Sequence, residues 1–419
     1  MNSSRNLKPW SAEELALFND ARLSNADIAQ TTGRSEDSVR SKRNRTVVDV
    51  AKATTMEEDR EKHGDQYWAR QYRSLKSKYE KLLDEDNVID RLVASIKDIA
   101  PKSYSPAPSQ LPDQTGRRGR PQSAVLLLSD THVGKVVCPD QTLGFGGYNF
   151  NVFLSRLKFL EDAMVSIIKD HNNTQLTELV LCLGGDMLDG ALIHSVEAGQ
   201  KNTLFSQFYG GGHAIAQFIR NVSAHVPKIR VFCTVGNHTR WANQHKMPTE
   251  NRYSNLDQFL FAYVKALTSE LKNVSWNLDR QPNAVFTVQG FRFQLLHGDT
   301  LRGGDRALGI PNHAVGRLVS STVQLYDKYG LQSPDYYLCG HLHRGIVLPH
   351  AKGSFIVNGG FPGLDGYALA NGFSPVDPTQ VFFFCHPVYG KTATYEICLK
   401  LAAENAYKAY AMPEDLDLT

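Results

Sequence analysis

Five short apolar runs in this sequence stop abruptly at residues able to hold a cation or move a proton. Ala124-Val125-Leu126-Leu127-Leu128 ends at Ser129-Asp130-Thr131-His132, and Leu179-Val180-Leu181-Cys182-Leu183 ends at Gly184-Gly185-Asp186. The run from Arg230 to Val235 ends at Gly236-Asn237-His238. Phe293-Gln294-Leu295-Leu296 leads into His297-Gly298-Asp299, and Tyr336-Tyr337-Leu338-Cys339 into Gly340-His341-Leu342-His343. Carboxylate, imidazole and amide oxygen without any thiolate form a donor set suited to Mn, Fe or Zn. Two neighbouring divalent ions repel one another and need a shared carboxylate, for which Asp186 is the natural bridge. Glycines before Asp186, Asn237 and His341 let the backbone turn sharply where each run ends.

The elements that must position these residues are buried strands, since each run is short, apolar and rich in β-formers. In α/β sheets ligands bind beyond the carboxyl ends of the strands, so five strand ends can converge on one place. A lone Asp-x-His or Gly-Asn-His occurs by chance. An ordered set of five, with successive candidate ligands 44 to 60 residues apart, does not.

Taken together, D-x-H, G-G-D, G-N-H, H and G-H-x-H resemble the signature of the calcineurin-like metallophosphoesterase superfamily across residues 123–400. The resemblance implies an α/β fold: a β-sandwich of two mixed sheets flanked by helices. It implies hydrolysis of a phosphoester with two divalent ions, manganese foremost and Fe, Zn, Mg or Ni as the others. Asp130, His132, Asp186 and His343 would hold one ion; Asp186, Asn237, His297 and His341 would hold the other. His238 would touch the scissile phosphate, and with Asp186 it makes up the catalytic pair. Many relatives place an acidic residue after Gly-Asn-His to orient that histidine, whereas here Thr239-Arg240 follows. Arg240, Arg344 and His194 are the substrate-binding candidates, with Asp189, His213, Arg252 and Arg302 as further contacts. Asp189 has a competing role as a turn cap, and Tyr209-Gly210-Gly211-Gly212-His213 is expected to be a flexible loop.

The rest of the chain divides into a helical unit at 1–50, a charged helical segment at 51–99, a basic linker at 100–122 and a tail at 401–419. Ser11 with Glu14 forms a capping box, a short helix follows Ser24, and Ser35 can cap a third helix ending in basic residues. This layout resembles a Myb-like or homeodomain-like helix-turn-helix, small and all-α. It makes Arg34, Arg40, Lys42, Arg43 and Arg45 candidates for DNA contact. Trp68, Tyr72, Leu75, Tyr79 and Leu82 follow a heptad seam that Ile89, Leu92 and Ile96 continue. Residues 68–96 could therefore join two copies of the chain as a coiled coil, or pack against the same chain. In the linker, Gly116-Arg117-Arg118-Gly119-Arg120-Pro121 resembles an AT-hook, adding Arg118 and Arg120 as minor-groove candidates.

A 42% hydrophobic and 10% aromatic composition is that of a globular protein, and a net charge of +3 alone does not point to nucleic acid. The six cysteines contain no CxxC pair, and no secretory h-region or bilayer-length apolar run is visible, so a cytoplasmic protein without membrane contact is expected. The neighbours of the catalytic segment point to DNA. The leading reading is a DNA nuclease whose motifs resemble the nuclease subunits of SbcCD-type complexes. The alternatives are a phosphatase or phosphodiesterase on a small substrate, and a DNA-binding regulator with a vestigial metal site.

Overall fold

Strands β1 (Gln122–Leu128), β2 (Leu176–Leu183), β3 (Ile229–Cys233) and β4 (Val274–Asn277) run parallel in register order. Beside β1 lie β10 (Thr379–His386) and then β11 (Gly390–Cys398), both antiparallel additions that complete a sheet of order β11-β10-β1-β2-β3-β4. A second sheet has order β5-β6-β7-β9-β8. Its strands are β5 (Ala284–Val288), β6 (Phe291–Leu296), β7 (Tyr336–Cys339), β8 (Ile346–Pro349) and β9 (Ser354–Val357). Here β6, β7 and β9 are parallel while β5 and β8 close the edges antiparallel. The computed structural model describes residues 23–36, 38–40, 119–171, 174–190, 203–240, 255–278, 283–301, 310–372 and 375–410, with isolated positions besides.

Side chains alternate across each strand, and the alternation assigns the layers. Val125 and Leu127 of β1 face Phe286, Phe293, Leu295 and Leu338 of the second sheet, where Phe232 stacks on Phe286 with ring centroids 4.0 Å apart. Ala124, Leu126 and Leu128 face the other way, onto helices α2 (Phe150–Asp170), α3 (Leu204–Ser223) and α4 (Leu256–Leu267). Helix α5 (Asn312–Lys328) covers the outer face of the second sheet through Ala314 and Val315. The fold is thus the two-sheet α/β sandwich flanked by helices that the motifs imply. A strand buried on both faces reads as an unbroken apolar run, which is why β1 showed in the sequence. Cys182, Cys233 and Cys339 are buried free thiols within or beside these strands.

The packed chain extends past residue 400, where the sequence suggests a tail. Tyr410 is buried; its hydroxyl donates to Glu161 Oε2 at 2.9 Å, and the Tyr407 N–H donates to Ser155 Oγ at 3.2 Å, both acceptors lying on α2.

The chain divides into two units, Met1–Asp90 and Arg91–Thr419. In the first, a helix spans Asn25–Thr32 (α1), N-capped by Ser24 in a capping box with Asp27 and ended by Gly33 at φ 68°. Ser35 Oγ accepts from Ser38 N–H at 3.3 Å, and residues 36, 38–40 and 42 are helical, with Val39 packed on Ile28. The Ser35 cap and the helix after Ser24 stand where the sequence placed them, while the Ser11–Glu14 capping box lies outside the described residues. Arg43, Arg45, Arg118 and the heptad positions of residues 68–96 lie outside the described residues. Among the described residues no helix is long and apolar enough to cross a membrane.

Candidate metal centre

The carboxyl ends of β1, β2 and β3 in one sheet, and of β6 and β7 in the other, open on the same edge of the sandwich. Asp130, His132 and His343 bring ligand atoms within 4.8 Å of one another, as do Asp186, His297 and His341, and also His132, Asp186 and His238. His132 Nε2 faces His343 Nε2 at 3.1 Å, and His343 Nε2 is 3.4 Å from Asp130 Oδ1. His297 Nε2 is 3.1 Å from both Asp186 Oδ2 and Asn237 Oδ1. The seven candidate ligands therefore gather into two groups, with Asp186 adjoining both.

Five of the seven have left-handed backbones: Asp130 at φ 54°, His132 at 43°, Asp186 at 50°, His341 at 66° and His343 at 52°. Such conformations in non-glycine residues cost free energy and cluster where function needs them. Their backbone N–H groups are tied across strands. Asp130 donates to Gly185 O and His132 to Asp186 O, while His341 donates to Asp130 Oδ1 at 2.9 Å. Of the preceding glycines, Gly185 makes the expected turn at φ 87°, while the other two serve a different purpose. Gly236 and Gly340 do not have positive φ; they leave room, since a Cβ on Gly236 would lie 2.0 Å from Asp186 Oδ1 and one on Gly340 2.6 Å from Asp130 Oδ2.

Imidazole orientation is set from behind. His297 Nδ1 bonds the Gly184 carbonyl at 2.8 Å, which turns Nε2 inward. Asp189 is more than a turn cap: its Oδ1 is 3.3 Å from His132 Nδ1 and 3.5 Å from His238 Nδ1, and its carbonyl lies 3.1 Å from His238 Nδ1. It occupies the orienting place that the missing acidic residue at 239 left open. Thr239 instead donates to Asn255 Oδ1 at 2.5 Å, latching its loop to the start of α4.

Charge is strongly organised here. Burial opposes ionisation of Asp186, yet His297 and His238 hold its carboxyl well below the usual carboxylate range. Burial also raises the carboxyl of Asp130, but the hydrogen bond and charge of His343 bring it below its ordinary value. His297, despite burial, is lifted to about 10 by Asp186. Burial, then the charge of His238, push His132 down to about 4. His341 falls to about 4 through burial and His297. Burial lowers His238, but Asp186 and Asp189 together raise it above its usual 6.5. Opposed imidazole nitrogens and carboxylate oxygens at these distances form a donor set that divalent ions fit: nitrogen and oxygen ligands, buried, with no sulfur.

The family profile of calcineurin-like phosphoesterases matches residues 123–345, which hold all five strand-end motifs. The chain belongs to that family. Solved structures are similar to the chain at low identity. One is an archaeal phosphodiesterase, 14% identical, with 66% of this chain and 99% of that one aligned at TM-score 0.29. Another is zinc-complexed Vps29 from Entamoeba histolytica, 13% identical, aligned over 66% of this chain and 99% of that one at TM-score 0.28. No curated protein matches the chain in sequence. Members of this phosphoesterase family use divalent metals, and this chain has the ligand clusters for them.

The remaining substrate candidates scatter. Arg240 stands at the rim of the phosphoesterase site, its Nε donating to Asn237 O at 3.1 Å and a terminal nitrogen 3.8 Å from Asp299 Oδ2. Arg344 is half-buried, one residue past His343. His194, Arg252 and Arg302 lie outside the described residues. The expected flexible loop at Tyr209–His213 is wrong: all five residues are inside α3, where Gly210 to His213 are buried. A Cβ on Gly212 would lie 2.5 Å from the Tyr263 ring of α4, so close helix packing, rather than flexibility, accounts for that glycine. His213 is pushed below its ordinary value by burial and then by Arg220.

Sequence reasoning missed three groups. Lys135 and Asp365 pair at 2.5 Å and are both largely buried; against the effect of burial, Lys135 and after it the charge of His343 hold the Asp365 carboxyl below its ordinary value. Asp299 was noted only as part of His-Gly-Asp. Asp257 lies beneath Asp186, its carboxyl raised to about 6 by burial and then by the charge of Asp186. Nothing in the local sequence Asn255-Leu256-Asp257 marks it, because its partners are remote.

Proposed function

We propose that this chain is a two-metal phosphodiesterase that cleaves DNA, directed to it by the basic helical unit at 1–50. The observation that carries the hydrolytic part is the pair of ligand groups sharing Asp186, one drawing on Asp130, His132 and His343, the other on Asn237, His297 and His341. Divalent ions bound there, manganese foremost, supply Lewis-acid polarisation of a phosphoryl oxygen and a nucleophile at neutral pH.

The chain's own residues do the rest. With Nδ1 directed at Asp189, His238 turns Nε2 toward the site, 3.9 Å from Asp186 Oδ2. Against the effect of burial, Asp186 and Asp189 favour its imidazolium form, and in that form Nε2 can deliver a proton to the leaving oxygen. Arg240 on the Asn237 side supplies positive charge at the rim of the centre, suited to a polyanionic strand passing beside it. In the N-terminal unit, Arg34 is half-buried and Arg40 exposed beside Glu36, with Arg43 and Arg45 following in sequence. Residues 68–96 would join two copies. The tethered helical unit would raise the local concentration of DNA at the site.

The test is purified protein with Mn(II), labelled single- and double-stranded DNA, bis-p-nitrophenyl phosphate, and Asp186→Ala as control. Cleavage of both DNA and the small diester, lost in the control, is the expected outcome. Turnover of the small diester with intact DNA would sink the nuclease reading in favour of a small-substrate phosphodiesterase. Removal of residues 1–50 should weaken DNA affinity and flatten its salt dependence.

A further inference from the structure

Asp257 is fully buried and belongs to no motif, yet a single oxygen of it joins two motif loops. Its Oδ2 accepts the backbone N–H of Asp186 and that of Gly236, each at 2.9 Å. The first loop follows β2 and carries Asp186; the second follows β3 and carries Asn237. Helix capping does not account for this carboxylate. The cap of α4 is Asn255, whose Oδ1 accepts the Asp257 N–H at 2.9 Å and whose Nδ2 donates to Gly236 O at 2.8 Å. The Asp257 side chain reaches away from its own helix to loops 71 and 21 residues earlier in the chain. Burying a carboxylate is costly unless charge-assisted hydrogen bonds offset it, and here they all go to these loops.

Where Asp257 holds the loops, they touch. His238 N–H donates to Asp186 Oδ1 at 2.9 Å, and only a glycine fits at 236. Asp186 adjoins both ligand groups, but Asn237 adjoins only the group containing His297 and His341. The geometry points to Asp257 as a positioning residue that fixes Asp186 against Asn237 and so builds the second ion's site, the one containing His297 and His341. The inference rests on the two-metal reading above. In the first group, Asp130 has a tie that does not pass through the loop Asp257 holds, its Oδ1 accepting the His341 N–H at 2.9 Å.

Calorimetric titration of the metal-free, full-length protein with Mn(II) separates the two sites. Asp257→Asn keeps an acceptor oxygen in place but removes its charge. It should weaken the second ion about tenfold, a typical effect of changing a residue that supports a ligand, and shift the first less than twofold. Asp257→Leu removes the acceptor, and a folded variant should bind one ion in place of two. The inter-ion spin coupling in the manganese EPR spectrum should fade in parallel. Equal affinities in wild type and Asp257→Asn, or equal weakening of both ions, overturn the positioning role alone. A wild type that binds a single ion overturns the two-metal reading, and with it this inference.

Discussion

Replacement of Asp189 by Asn is the sharpest probe of how the centre works without an acidic residue at 239. One carboxylate oxygen lies 3.3 Å from His132 Nδ1 and 3.5 Å from His238 Nδ1, so the substitution acts on a candidate ligand and on the candidate acid together. Loss of such a supporting partner costs roughly 10–100-fold in metal affinity or activity, or about 1.4–2.7 kcal/mol. Because two imidazoles share the oxygen, the upper end is expected: a kcat about 100-fold lower on bis-p-nitrophenyl phosphate at saturating Mn(II). The pH profile carries the direction. Asp186 and then Asp189 lift His238 above 6.5 against the effect of burial. Removing one negative charge destabilises the imidazolium, so the alkaline limb of kcat should move to lower pH. Measurement of kcat from about pH 5 to 9 for both proteins decides it. A variant within about threefold of wild type, with its alkaline limb in place, would refute the claim that Asp189 orients and charges His238.

Gly236→Ala should destabilise the protein as well as cut metal-dependent turnover at least about 100-fold, since its Cβ would fall 2.0 Å from Asp186 Oδ1 and 2.2 Å from the Asp186 backbone nitrogen; urea unfolding beside an activity assay checks both halves. Gly212→Ala should destabilise the protein by about 1–3 kcal/mol in urea unfolding, through overpacking against Tyr263; a flexible loop there would show no loss. For Asp365, burial raises the carboxyl but Lys135 brings it below 3.8, so its contribution is present above about pH 4 and lost as pH falls through the lowered folded value. Lys135→Met should therefore cost about 1.5–3 kcal/mol at pH 7, and the deficit should narrow below about pH 4 in a series of unfolding curves. At His343, with φ 52°, the Gly variant should be more stable than the Ala variant by about 1 kcal/mol, the reverse of the usual order; thermal unfolding of the pair tests it.

The five strand ends were legible because the last residues of each strand are buried, so a short apolar run leads directly into the ligand. Their division between two sheets was not legible. Which strand lies beside β6 is decided by pairing with residues far along the chain, and β6 in fact pairs in parallel with β7, Leu296 against Cys339. Ser35 was readable as a cap because a cap is a local bond. Gly210-Gly211-Gly212 was misread for the opposite reason. Taken locally, three glycines disfavour a helix, but Tyr263 of a later helix needs the space that they leave. Asp257 was invisible on the same ground, its two acceptor bonds reaching back 71 and 21 residues.

The left-handed residues explain how so many polar groups can be held at one edge without a scaffold of their own. In Asp130-Thr131-His132 and His341-Leu342-His343, the first and third residues have positive φ. Each motif thus presents two side chains in quick succession beyond the strand end. Asp and His tolerate this region better than β-branched residues do, which suits the residue types the chemistry also needs. The strain, on the order of 1–3 kcal/mol per residue, is offset by hydrogen bonds that cross between motifs: Asp130 to Gly185, His132 to Asp186, and His341 to Asp130. The last of these, from the end of β7 to the end of β1, couples the two sheets at the point where they open, so a bond that holds candidate ligands also closes this edge of the sandwich.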